Sequence, residues 1–402
     1  MGEPKGKRVL MLLENATYPS DERVRHEAVT LLAGGYYVAV ISPMGKGQSK
    51  HEVLNGIDVY RFPSAPDSNG FLGYFWEYGY SMLAIFLLSL YVLMKKGFDI
   101  VHTAQPPDTF VFIAAFYKLL GKLFVMDHHD LAPELYYAHF GGKGNKMIYW
   151  ILVRLEKLSF RLADHVISTN ESYKKIAFQR GCVEESRITI VRNGPDLKEL
   201  SSSADTKQDL RKDGKKIIGY VGVTGIQDGV DNLVKAIHYL VQNLGRTDIL
   251  CIILGDGNAM PSLKSLAAKL NITPYILFSG WINRPEEIAE YFKVMDVCVA
   301  PEPSDPYNNC STAAKVMEYM AMGKPVVSSD LPEHRFTARD AAIYAMPGDE
   351  QDLANKIAEL IDNPEQRITM GKTGQARVQT ELAWPHQAKK LIEAYQKLAF
   401  AS

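Results

Sequence analysis

Residues 216–254 read KIIGYVGVTGIQDGVDNLVKAIHYLVQNLGRTDILCIIL. The runs KIIGYV (216–221) and ILCIIL (249–254) are short, apolar and bounded by turn residues, as buried parallel strands are. Between them a glycine-rich turn opens a stretch from Val230 to about Leu244 with apolar residues at helical spacing. Strand, turn, helix and strand make one crossover unit of a parallel sheet. The rhythm continues through YILFSG (275–280), DVCVAP (296–301), KPVVSS (324–329) and AAIYAM (341–346), with helices predicted between them and over 351–362 and 364–380. Upstream it is already present in RVLMLL (8–13), YVAVIS (37–42), DIVHT (99–103), KLFVMD (122–127), HVIST (165–169) and RITIV (187–191). A polar stretch without periodicity, 192–215, interrupts it. The predicted fold class is therefore α/β, with two Rossmann-like domains, 1–194 and 216–384, joined by a linker at 195–215. A final amphipathic helix, 385–400, is expected to pack back on the first domain.

Composition agrees with two packed domains. Hydrophobic residues are 47 % and charged residues 23 % of 402, which excludes wholesale disorder and a coiled coil. Lys and Arg number 45 against 46 Asp and Glu, so no global basic field exists for binding nucleic acid. Residues 1–194 hold 22 basic and 19 acidic groups, a mild excess that is either chance or a face turned to anionic lipid. The four cysteines, Cys182, Cys251, Cys298 and Cys310, form no CxxC pair and read as reduced, buried thiols of a cytoplasmic protein. The start, MGEPKGKRVLMLLEN, lacks the long apolar run of a signal peptide. From Phe71 to Met94 the only charge is Glu77, and Lys95-Lys96 follow. Three readings stay open for 75–96: a span, a buried core helix, or a helix resting on an anionic membrane surface.

Two segments carry chemistry. GYVGVTGIQDGVDN (219–232) is a strand, a turn with Gly222 and Gly225, and a helix start, an arrangement that lets backbone N–H groups approach a phosphate. Its spacing is not the dinucleotide fingerprint. PEPSDPYNNCSTAAKVMEYMAMGKPVV (301–327) is a polar loop leading into a helix predicted from Ser311 to Met322, with Cys310, Ser311 and Thr312 at its first turn. Lys315 and Glu318 are three apart and share one face, either as a surface ion pair or as the cation and carboxylate that hold a diphosphate and a ribose.

The run EYMAMGKPVV (318–327) resembles the E-A-M-A-x-G-x-P-V-V segment of glycosyltransferase family 4, retaining enzymes of the GT-B fold. IILGDGN, ILFSGWI and MDVCVAPE are similar to the segments that precede it in that family, and DERVRHEAVTLLAGGYYVAVI, VHTAQPPD, DHHDLAPE and VRNGPD resemble a bacterial subgroup that builds surface polysaccharides. The resemblance implies transfer of a sugar from a nucleotide-diphosphate sugar to an acceptor hydroxyl, expected to be that of a lipid-linked saccharide, without a metal or other cofactor. It places Glu318 on the donor ribose. Position 310, where the family has a first glutamate, is Cys310, and the loop positions that carry Arg and Lys are Val223 and Asp228. Lys315 is the expected substitute cation, and Asn308 or Asn309 the expected substitute sugar contact. Trp281 lies where a nucleobase is expected. In MDHHDLAPE (126–134), His129 and Asp130 are expected to face the transferred sugar or the acceptor, while the neighbouring histidines point apart and do not suggest a metal site. Asp21, Arg23 and Arg25 either contact an acceptor phosphate or cap and flank a helix. Two rival functions stay open: a nucleotide-sugar epimerase or hydrolase, which would turn over donor without acceptor, and a non-catalytic nucleotide-sugar-binding protein, which would bind without transfer.

Overall fold

The computed structural model describes residues 6–64, 71–198, 200, 207–211, 214–282 and 284–400. The chain divides into two compact units, one of Met1–Tyr136, Gly144–Asn193 and Gln387–Ser402, the other of Tyr137–Lys143 and Gly194–His386.

The first unit runs β1 (Arg8–Leu12), α1 (Glu22–Ala33), β2 (Tyr37–Pro43), β3 (His51–Leu54), β4 (Ile57–Phe62), α2 (Phe71–Lys95), β5 (Ile100–Gln105), α3 (Phe110–Leu119), β6 (Leu123–His128), α4 (Ala132–His139), α5 (Lys146–Leu162), β7 (His165–Ser168), α6 (Glu171–Gln179) and β8 (Ile188–Ile190). Its sheet has the order β3-β4-β2-β1-β5-β6-β7-β8 and is parallel except for the β3–β4 hairpin. That hairpin is absent from the sequence reading above, although HEVLNGIDVYRF carries its signal. Asn55 and Gly56 both take positive φ, the two-residue turn that Asn-Gly favours. Asp21 caps α1, its carboxylate accepting from the Val24 amide at 2.9 Å.

The second unit runs β9 (Lys216–Val221), α7 (Val230–Gln242), β10 (Ile249–Leu254), α8 (Met260–Lys269), β11 (Ile276–Gly280), α9 (Pro285–Val294), β12 (Val297–Ala300), α10 (Ala314–Ala321), β13 (Val326–Ser329), α11 (Pro332–Ala338), β14 (Ala342–Ala345), α12 (Glu350–Asp362) and α13 (Pro364–Arg377). Its six strands, ordered β11-β10-β9-β12-β13-β14, are all parallel. One core layer lies under α7, α8 and α12, the other under α9, α10 and the segment that follows α13, so both faces of the sheet are covered. Within the stretch read as a linker, Leu197, Leu200 and Leu210 pack on this second layer, and Arg211 donates to the Val294 carbonyl and the Asp296 carboxylate. The described part of 195–215 is thus anchored to the second unit.

The last helix, α14 (Trp384–Phe400), passes from the second unit to the first, where it completes the core. The Tyr395 ring meets Tyr36 edge to face at 5.4 Å, and its hydroxyl bonds His102 Nδ1 at 2.6 Å. A Cβ on Gly34, just after α1, would stand 2.4 Å from the Ile392 Cδ1, so α14 passes close here and a side chain at 34 would have to displace the end of Ile392. Cys251 and Cys298 are buried and Cys310 is half-buried, but Cys182 is exposed, at a turn with φ of 55°, which corrects the expectation of four buried thiols.

Candidate functional site

In the second sheet the strand order reverses between β9 and β12, the point where ligands bind in open parallel sheets, outside the carboxyl ends of the strands. The turn after β9 carries Gly222, Gly225 and Gly229, and the loop after β12 carries Glu302. The two loops press together. A Cβ on Gly229, which has φ of 64°, would stand 2.4 Å from the Pro301 carbonyl oxygen. Tyr319 fixes α10 beneath them, its hydroxyl accepting from the Val221 amide at 2.9 Å.

Lys315 projects from the start of α10 into this corner. Its Nζ lies 2.6 Å from Glu302, 3.2 Å from Asp228 and 3.1 Å from the Tyr220 hydroxyl, and a Cβ on Gly222 would stand 3.2 Å from its Cε. Asp228 stands where the resembled family carries Lys, so the loop's own cation is replaced by a carboxylate whose partner comes from α10. Burial opposes the Lys315 charge, but Glu302, Tyr220 and Asp228 outweigh it, and its pKa stands well above the ordinary value. Burial raises the Asp228 pKa despite Lys315. Glu302 is buried too, yet Lys315 and His334 hold its pKa below the ordinary value. Its Oε2 has no hydrogen-bond partner.

Glu318 is half-buried on α10, one turn beyond Lys315. Helix α10 begins at Ala314, not Ser311. Residues 307–311 are wound instead into a turn around Asp305, which accepts from the Tyr307 and Asn308 amides, while the Cys310 and Ser311 amides donate to the Tyr307 carbonyl. Cys310, Ser311 and Thr312 therefore lie before the helix. Asn308 is buried, with its amide donating to the Gln227 carbonyl and to Asp305, so it ties the two loops together and does not present a free sugar contact. Asn309 accepts from Ser304 at 3.0 Å. Ala313, at the cap position, has no side chain able to bond the first amides of α10. Trp281 follows β11 and is exposed. Glu302 and Tyr220 escaped the sequence reading. Their only signal was position, at the ends of the two strands that flank the reversal.

In the first unit the structure gathers a second polar cluster, at the ends of β5 and β6. Arg23 is buried, donates to both Asp127 oxygens at 2.7 and 3.0 Å, and reaches the Val191 carbonyl and Asn193. Its guanidinium is thereby occupied, so Arg23 anchors Asp127 and is not an acceptor contact; Asp21 is a helix cap. Arg25 is half-buried on α1. His129 Nε2 lies 2.7 Å from Asp127, while His128 turns the other way, to Glu156 at 3.4 Å. Asp130 is half-buried just beyond β6. Glu27, His102 and Asp127 each offer an oxygen or nitrogen within 4.8 Å of the others, but Arg23 stands 3.3 Å from Glu27 and supplies positive charge there. Burial works against a charge on His102, yet Glu27 and Asp127 carry its pKa up to about 9. The same balance of burial against Asp127 raises His129.

Residues 202–377 match the family described as Glycosyl transferases group 1, and residues 22–199 match Glycosyltransferase Family 4. An uncharacterized glycosyltransferase of Methanocaldococcus jannaschii is 24 % identical over 376 residues, covering 90 % of this chain and 89 % of that one. The UDP-Gal:alpha-D-GlcNAc-diphosphoundecaprenol alpha-1,3-galactosyltransferase of Escherichia coli is 28 % identical over 259 residues, 61 % of each chain. Among solved structures, sucrose-phosphate synthase from Thermosynechococcus elongatus superposes with a TM-score of 0.80 at 20 % identity, over 98 % of this chain and 100 % of that one.

Proposed function

Because the chain is a glycosyltransferase of the GT-B fold that draws its sugar from a nucleotide sugar, we propose that its acceptor is the hydroxyl of a lipid-linked saccharide and that the anomeric configuration is retained. The donor half of this reading rests on one observation: the Lys315 ammonium, set against Gly222 and one turn from Glu318. A diphosphate laid over the Gly222–Gly229 turn would meet that ammonium and the uncapped start of α10, and Glu318 would accept from the ribose hydroxyls. In the reaction the bond from the anomeric carbon to the phosphate oxygen breaks, the acceptor oxygen bonds to that carbon on the same face, and its proton passes to the departing phosphate. Positioned donors stabilise the leaving diphosphate, so no metal is required. His129, held by Asp127, and Asp130 are proposed to contact the transferred sugar or the acceptor. The lipid-linked acceptor is supported by the Escherichia coli relative, whose name carries diphosphoundecaprenol.

Glu318→Gln keeps the shape of the side chain and removes its charge. It is expected to raise the KM for the donor roughly ten-fold or more while kcat changes less, because a charge-assisted hydrogen bond to bound substrate is lost. An unchanged KM would remove Glu318 from the ribose. Trp281→Ala is expected to weaken nucleotide binding by a few-fold at most, because the exposed ring stands beside backbone that can read the base. Calorimetry with UDP checks this, and a loss above roughly 100-fold would make the ring itself a principal contact. Turnover of donor that proceeds equally well with and without a lipid-linked acceptor would favour a hydrolase.

A further inference from the structure

Helix α2 is apolar on two opposite sides. Its inward row, Ile85, Ser89 and Val92, is buried against the first sheet. The Ser89 hydroxyl bonds the Tyr117 hydroxyl of α3 at 2.6 Å, a contact that ties α2 to the domain. The outward row, Trp76, Leu83, Leu87, Tyr91 and Met94, repeats at intervals of three, four and seven residues and is exposed, Met94 to 81 %. From Trp76 to Met94 this row is about 27 Å long at 1.5 Å per residue.

The apolar surface does not stop at α2. The crossovers from β4 to β5, β5 to β6 and β6 to β7 all step the same way across the sheet, and right-handed connections then set α2, α3 and α5 side by side on one face. Phe86 of α2 meets Phe116 of α3 edge to face at 5.2 Å, and α3 lies against α5. On α3 the exposed residues are Phe112, Phe116 and Leu119, the last 87 % exposed. On α5 the exposed apolar residues are Met147, Trp150, Ile151 and Leu158, with Arg154 stacked 4.8 Å from the Trp150 ring.

The fully exposed charges on these helices have one sign. Lys95, Lys146, Arg154 and Arg161 are exposed. The helices' only carboxylates are Glu77, half-buried, and Glu156, buried. Apolar side chains, amphipathic aromatic rings and long cationic side chains on one face suit the boundary between acyl chains and anionic headgroups. A second copy of the chain suits it poorly, because a two-fold contact would set cations against cations.

We propose that the outer face of α2, α3 and α5 lies on an anionic lipid bilayer, with α2 in the plane of the surface and not across it. For its purpose, bringing the enzyme to a lipid-borne acceptor, the inference rests on the proposed acceptor; for its evidence it rests on this face alone.

The test is flotation of the full chain with vesicles of phosphatidylcholine, with and without phosphatidylglycerol. The protein is expected to float with the anionic vesicles, to release as salt rises, and to bind phosphatidylcholine weakly. Lys146→Glu with Arg154→Glu should cut binding roughly ten- to hundred-fold. Leu87→Gln with Leu119→Gln, both at exposed positions where the fold loses little, should also weaken it several-fold. Absence of flotation at low salt, or indifference to both pairs of substitutions, overturns the proposal. So does light scattering that finds a dimer which the leucine substitutions dissociate while vesicle binding is absent. Transfer to a diphosphate-linked saccharide on a short, water-soluble chain separates the two ideas: turnover there without vesicle binding rejects the membrane face and keeps the acceptor reading.

Discussion

Lys315→Ala is expected to lower sugar transfer roughly ten- to several hundred-fold, the value of one or two charge-assisted contacts to a diphosphate. Read from sequence, the substitution should leave the fold intact. The structure adds a second loss. Lys315 is the partner of Glu302 at 2.6 Å and of Asp228 at 3.2 Å, and its removal leaves buried carboxylates facing each other. Breaking a buried pair in this way costs about 3–5 kcal/mol, which for a unit of this size lowers the melting temperature by roughly 10 °C. The two losses can be separated. Lys315→Ala combined with Glu302→Gln and Asp228→Asn removes the stranded charges, so thermal melting should recover much of the stability while transfer stays low. Wild-type transfer in the triple variant would show that Lys315 serves only its two neighbours.

Raising the pH from about 6.5 to about 9 is expected to destabilise the first unit by about 3 kcal/mol through His102 alone. The folded protein holds the His102 proton with a pKa of about 9, against 6.5 for an ordinary imidazole. The stabilisation is therefore complete below pH 6.5, declines as the pH rises and is gone above about 9. His129 is shifted the same way and adds to the decline. Asp127 moves oppositely. Its depressed pKa contributes above the ordinary carboxylate value and is lost only as the pH falls through the lower folded one, so it leaves the alkaline window untouched. Hydrogen exchange of peptides from β1, β5 and β6 would follow the unit as the pH is raised. His102→Gln should flatten most of the slope, and a slope parallel to wild type would refute this account. Asp127→Asn should be worse at every pH in the window, by about 3–5 kcal/mol, because Arg23 and His102 then face each other without the carboxylate that balances them.

Sequence and structure agree best where a signal is local. The alternation of apolar runs with helical spacing places nearly every parallel strand, because strands buried on both faces must be apolar throughout. The Asn55-Gly56 hairpin had an equally local signal. The site was legible in part. Lys315 and Glu318 share a face by spacing alone, and Gly222 opens a turn after a strand. Arg23 and Asp127, by contrast, are 104 positions apart, and nothing in either segment distinguishes an anchoring arginine from a surface one. Glu302 reads as an ordinary loop carboxylate until β12 is known to neighbour β9. The outer row of α2 was ambiguous for a related reason. An apolar residue looks the same whether its side of the helix is covered or bare.

The return of α14 to the first unit has a consequence for synthesis on the ribosome. Every other element of that unit has been made by Asn193, but Tyr395, which closes over Tyr36 and His102, follows only after the stretch Gly194–His386. At roughly 5–20 residues per second, translation of that stretch takes roughly 10–40 s. Throughout that interval the nascent first unit exposes the groove that Tyr395 and Leu391 fill, and on the other face of the sheet the outward apolar row of α2. A growing chain with two bare apolar surfaces is a substrate for chaperones, and a premature stop anywhere after Asn193 would damage the end of the protein that was made first.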